Sequence, residues 1–182
     1  MNEIVRESAE TKVSVQVVRG VGVREGVRTG EPFLDHMLYT LARFSGLKLS
    51  IAAVGDLRHH LIEDVAITLG QALRGVIPDT CRRFGHAVVP MDDALVEATL
   101  DAGGRAYYRG RLPSGLYEHF FRSLADNAAT TLHIRVLRGR DRHHVVEAAF
   151  KAVGLALAQA LEEGNTVFST KGAVRVERRS EN

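Results

Sequence analysis

One hexapeptide constrains this chain more than any other feature, because it is written twice: Arg58-His59-His60-Leu61-Ile62-Glu63 and Arg142-His143-His144-Val145-Val146-Glu147. Eight His and thirteen Glu are spread over 182 residues, so shuffling yields far less than one HHxxE on average, and chance does not account for two. Each copy opens a run of apolar residues at helical spacing. In the first these are Ile62, Val65, Leu69 and Leu73, and in the second Val146, Phe150, Val153, Leu157 and Leu161. Residues three and four apart share a helix face, which puts Glu63 beside His59 and His60, and Glu147 beside His143 and His144. Imidazole nitrogens with a carboxylate oxygen form a ligand set for a borderline divalent metal, and the doubling points to two metals or two halves of one site. A helix N-terminus carries partial positive charge and opposes a cation, so further ligands have to come from other segments.

The repeat extends past the motif. Gly55 precedes Gly139 by the same 84 positions, and Asp35-His36-Met37-Leu38 with Leu41-Ala42 matches Glu118-His119-Phe120-Phe121 with Leu124-Ala125 at an offset of 83. A third histidine therefore recurs in each half, and His86 and His133 are left as ordinary surface residues. A single domain of two units is expected, about 8–78 and about 82–164, followed by a C-terminal tail over 165–182. In the first unit Val13, Val15 and Val17 alternate as a strand, and Gly20, Gly22 and Gly26 punctuate a second strand or hairpin. A helix over 33–44, a strand over 47–53 and a helix over about 58–74 complete it. The second unit repeats the plan, with strands over 84–89, 94–100 and 105–109, a helix over 118–129, a strand over 132–136 and the second motif helix. The fold class predicted is α+β: two similar halves, each a small mostly antiparallel sheet with two helices on one face, the helices packed between the sheets.

With 45% hydrophobic and 25% charged residues the chain can bury a core as one domain. Net charge is only +2 and the two signs are interleaved, which argues against nucleic acid as a primary partner. The lone Cys81 excludes an internal disulfide and fits a reducing compartment, and Met1-Asn2-Glu3-Ile4 lacks a signal-peptide pattern. The longest apolar run, over 153–158, is too short to span a membrane. A cytoplasmic protein is expected. The absence of spaced cysteine pairs and of HExxH argues against structural zinc and against the common zinc-protease arrangement.

Taken in this order, the residues resemble the imidazoleglycerol-phosphate dehydratase family. The likeness runs along nearly the whole chain: RESAET at 6–11, PFLDHML at 32–38, GDL at 55–57, HHLIEDVAITLG at 59–70, RFG at 83–85, PMDDAL at 90–95, GR at 104–105, EHFFRSL at 118–124, TLH at 131–133, the second motif at 143–152 and STKG at 169–172. The resemblance implies two Mn2+ per active site, held by His36, His59, His60, Glu63, His119, His143, His144 and Glu147. It implies reaction-centre roles for Glu10 and Lys151 with support from Asp92, and binding of the substrate phosphate by Arg83, Arg105, Ser169 and Lys171; either Glu10 or Glu147 is the candidate carboxylate for general acid or base. It further implies a homo-oligomer in which trimers assemble into a shell of 24 subunits with shared sites, acting on a small phosphorylated imidazole in histidine biosynthesis. Three departures stand out. Family members usually carry more residues, acids among them, between GDL and HH, which puts carboxylate support at these ligands in question. Tyr39-Thr40 stands where the family often has Asp-Gln, and the stretch over 107–117 is shorter than usual. Two other classes use the same doubled motif: a metal-storage assembly, which has no need of the phosphate-binding arginines, and a metal-dependent hydrolase of a phosphorylated small molecule, which would release inorganic phosphate.

Overall fold

The computed structural model describes residues 3–20 and 26–164. The first half contains β1 (Glu3–Glu7), β2 (Thr11–Arg19), β3 (Val27–Arg28), α1 (Pro32–Ser45), β4 (Leu47–Gly55) and α2 (Arg58–Arg74). The second contains β5 (Phe84–Met91), β6 (Ala94–Asp101), β7 (Tyr107–Gly110), α3 (Gly115–Ala128), β8 (Thr131–Arg138) and α4 (Arg142–Ala160). The two sheets have the same plan, β1-β2-β4-β3 and β5-β6-β8-β7. Each is antiparallel except for its last pair, where the chain crosses through a helix before returning alongside. The predicted α+β class and doubled plan are therefore present.

Three elements differ from the sequence-based reading. β1 reads EIVRE and shows no apolar alternation to mark it; it is an edge strand held to β2 through the backbone pairing of Glu3–Glu7 with Lys12–Gln16. β3 shrinks to two residues, while Gly22 lies outside the described residues. α3 starts at Gly115, ahead of Glu118, because Tyr117 is drawn into an aromatic cluster with Phe33, Phe120 and Phe150. The 165–182 tail, with Ser169 and Lys171, also lies outside the described residues.

The helices exchange partners between halves, α1 lying on α4 and α2 on α3. Helix α4 is apolar nearly all round, with Val145, Val146, Ala149, Phe150, Val153 and Ala156 buried, because it sits between α1 and the second sheet. Two glycines set the crossings. A Cβ on Gly70 would meet Leu124 O at 2.7 Å, Asn127 Cβ at 2.8 Å and Ala128 N at 3.0 Å. A Cβ on Gly154 would meet Phe44 Cβ at 2.8 Å, Ser45 N at 3.2 Å and Leu41 O at 3.3 Å. Gly70 and Gly154 are repeat-equivalent, and so are Leu41 and Leu124, Phe44 and Asn127, Ser45 and Ala128. Both obstacles include backbone, so Gly154→Ala must push α1 off α4. A loss of about 1–3 kcal/mol is expected, read as a lowered midpoint in thermal or denaturant unfolding; an unchanged midpoint would show that the crossing has slack.

Candidate metal centres

The partner exchange fixes where the histidines go. His36 touches Glu147 near the start of α1 and α4, and Phe44 meets Gly154 further along both helices, so the two run parallel. α2 and α3 do likewise, with His119 on Glu63 at the start and Ala128 on Gly70 beyond. Parallel packing brings N-terminal turns together, and with them the repeated histidines and glutamates. Each glutamate of one half thereby meets the third histidine of the other.

At the first junction the Nε2 atoms of His36 and His143 lie 3.3 and 3.1 Å from Glu147 Oε2. Ligand atoms of these three residues all lie within 4.8 Å of one another, and among the described residues no second set of three converges as closely. Phe33, one turn before His36, braces the His143 ring at 5.2 Å between centroids. Lys151, one turn after Glu147, places Nζ 2.9 Å from Oε1 and 3.5 Å from Met91 Sδ. Burial disfavours ionisation of Glu147, but the Lys151 ammonium and the His36 imidazole outweigh it and hold the carboxyl below its ordinary range.

At the second junction His119 Nε2 lies 3.0 Å from Glu63 Oε1, while the His59 ring packs edge-on against His60 at 4.1 Å. This centre is the more open one.

His60 and His144 follow His59 and His143 directly, and consecutive helical residues point about 100° apart. Each takes its own carboxylates. His60 Nδ1 lies 3.0 Å from Asp56 and 3.5 Å from Glu10, and His144 Nδ1 lies 2.8 Å from Asp93 with Nε2 3.4 Å from Asp92. On His60 the carboxylates on Nδ1 fix the ring and leave Nε2 for a metal, the usual orientation of metal-binding imidazoles; on His144 Asp93 fixes Nδ1 in the same way, with Asp92 standing beside Nε2. Asp56 and Asp93 thus perform work that the sequence reading left unassigned, although Asp56 stands one helical turn before His60 and Asp93 sits beside the singled-out Asp92. The shortened loop has not stripped His60 of its carboxylate. What it lacks is a cap: Leu57 stands where Asp141 accepts bonds from the His143 and His144 amides.

The acids preceding the third histidines anchor loops. Asp35 accepts from the Thr29 amide at 2.9 Å and Glu118 from the Leu112 amide at 3.0 Å, repeat-equivalent bonds that fix the entry into α1 and α3. Tyr39 and Thr40 are likewise engaged within the chain, donating to Val27 O and His36 O.

Hydrogen bonds donated by Nδ1 to Asp56 and Asp93 raise the affinity of His60 and His144 for a proton above that of a free imidazole. Metal and proton compete for the ring, so cation affinity is expected to fall as pH drops through this raised value. In the metal-free chain the sign reverses: stability from these pairs is present below the ordinary histidine pKa and is lost as pH rises through the raised one. The Asp93 carboxyl is itself pulled down to about 2 by the Arg140 amide, His144 and the Asp141 amide. Asp93→Asn should reduce metal affinity at pH 8 by roughly 10- to 100-fold, measured by equilibrium dialysis; unchanged affinity would remove Asp93 as the orienting group.

The arginines expected to bind phosphate gather elsewhere. Arg83 has a left-handed backbone (φ 74°) and places Nε and a terminal nitrogen 2.7 and 3.0 Å from the Asp101 carboxylate; these bonds, helped by the more distant Arg105 charge, hold that carboxyl below its ordinary range. Its amide donates to Ala160 O at the end of α4. Glu147 lies thirteen residues back along that helix, roughly 20 Å away. Within one chain the arginines and the histidines occupy opposite ends of the helices.

No helix among the described residues is long and apolar enough to cross a membrane.

Comparison with known proteins agrees with this architecture. A family model described as imidazoleglycerol-phosphate dehydratase matches residues 29–157. Proteins of that name from Pyrobaculum aerophilum and Granulibacter bethesdensis are 48% and 44% identical, each match covering 93% of this chain and 98% and 96% of theirs. A crystal structure of IGPD from Pyrococcus furiosus, in complex with (S)-C348, superposes with a TM-score of 0.84 at 40% identity, over 94% of this chain and 100% of that one.

Proposed function

Because the chain belongs to the imidazoleglycerol-phosphate dehydratase family and is a hydro-lyase, we propose that it converts D-erythro-imidazoleglycerol phosphate to imidazole acetol phosphate and water in histidine biosynthesis, using two Mn2+. The observation that carries the metal reading is the crossing of the halves, Glu147 with His36 and Glu63 with His119, at one end of the helix layer. The donors fit such an ion: imidazole nitrogens and carboxylate oxygens without thiolate, with Nδ1 of His60 and His144 already engaged. His36, His143 and Glu147 would hold one ion, and His59, Glu63 and His119 the other. His60 and His144, each paired with its own carboxylates, would complete centres of neighbouring copies in the trimer-built 24-subunit shell. When bound, the metal supplies Lewis acidity and a template for the imidazole of the substrate.

The reaction removes a proton from the carbon bearing one hydroxyl and expels the hydroxyl on the carbon next to the ring, leaving an enol that becomes the ketone. Glu10, more than half exposed and beside His60, is free to carry that proton, whereas Glu147 is engaged on both oxygens. Lys151 offsets negative charge at the Glu147 centre, and Asp92 holds the far side of His144. Arg83 and Arg105, with Ser169 and Lys171 of the tail, would grip the phosphate; guanidinium supplies a fork of donors and ammonium a point charge. The test is turnover of Mn2+-loaded protein beside a metal-stripped control. Metal-dependent imidazole acetol phosphate is expected. Release of inorganic phosphate would indicate a hydrolase, and bound metal without turnover a storage role.

A further inference from the structure

The duplication keeps His59 and His143, His60 and His144, Glu63 and Glu147, and Gly70 and Gly154 at equivalent positions, but it breaks one turn beyond the glutamate. There α2 carries Ile67 and α4 carries Lys151. The consequence falls on the carboxylates. Lys151 Nζ contacts Glu147 Oε1 at 2.9 Å, and Met91 Sδ with the Phe44 ring keeps the ammonium there. Glu63 faces His119, and among the described residues no lysine or arginine pairs with it. The surroundings amplify the difference, since the Glu147 side chain is 10% exposed and that of Glu63 39%. A charge held in the drier place is less screened.

Resting on the metal reading above, we propose that the two centres bind divalent cation unequally: the Glu63–His119 centre fills first, and the Glu147–His36–His143 centre is held weak and exchangeable by Lys151, a built-in competing cation. Convergence of the donors opposes this order, because the Glu147 set is already gathered while His59 has to turn toward Glu63. Turning one exposed imidazole costs a rotamer preference. Repulsion between an ammonium and a divalent ion sharing one buried carboxylate acts on a full unit of charge and is the larger effect. The arrangement gives the enzyme one ion that stays and one whose occupancy follows the free metal concentration.

The test is a Mn2+ titration of metal-stripped full-length protein, with free Mn2+ read from its aqueous six-line electron paramagnetic resonance signal. Wild type should show two classes of one site per chain, separated by roughly tenfold or more. Lys151→Gln should tighten the weak class toward the strong one and leave the strong class alone. Lys151→Arg, which keeps the cation, should change neither. Ile67→Lys, at a half-buried position facing the equivalent turn, should weaken the strong class by a similar factor. Two equal classes in wild type, or a weak class that is unmoved or loosened by Lys151→Gln, would overturn the proposal while leaving the metal centres in place. Failure of wild type to bind Mn2+ at all would overturn both readings together.

Discussion

A Glu10→Gln protein is expected to keep its cations and lose roughly 10²- to 10⁴-fold in kcat. The substitution preserves shape and hydrogen bonding but removes the capacity to carry a proton. Its surroundings hold the backbone in place regardless of the charge. Ser8 Oγ accepts from the Glu10 and Thr11 amides at 3.2 and 3.1 Å, and Glu10 O accepts from the Asp56 amide at 3.0 Å. Arg6 and Thr11, on either side of the turn, both reach the buried Asp64 of α2, Arg6 at 2.9 Å. The turn is thus latched to the helix that begins with His59 and His60. Cation stoichiometry and kcat measured on one preparation separate the outcomes: retained turnover removes Glu10 from the chemistry, and lost metal makes it an organiser of His60.

The histidines and glutamates were legible because they repeat, and repetition survives in sequence even where the fold is unknown. Gly70 and Gly154 recur as well, but their purpose is visible only when α2 meets α3 and α4 meets α1, since nothing in a hydropathy pattern says that helices trade partners across halves. β1 escaped notice for a different reason: an edge strand can be held by backbone bonds alone, so EIVRE needs no alternation. Asp56 and Asp93 were missed because they serve equivalent histidines from inequivalent places, one a helical turn upstream and the other on the β5–β6 turn. Arg83 and Arg105 read as unremarkable singly. Asp101, which Arg83 grips, lies 18 residues away in the chain and reaches it only through the pairing of β5 with β6.

The separation of arginines from histidines leads to the sharpest expectation about assembly. Arg105 lies two residues before β7, whose Tyr107 amide donates to Thr130 O just past the end of α3. His119 and Glu63 sit at the opposite end of the parallel α2–α3 pair, with His119 nine residues before Ala128, roughly 14 Å of helix. If one substrate is gripped by both ends, they belong to different copies of the chain, in a head-to-tail contact of the kind that closes into rings. Arg105→Ala and Glu10→Gln chains should each lose at least about 100-fold in activity alone. Unfolded together in equal amounts and reassembled with Mn2+, they should recover about a quarter of wild-type activity, because random mixing leaves that share of shared sites with both native residues. If both residues came from one chain, no mixed site would be native, and activity would stay at the level of the parents.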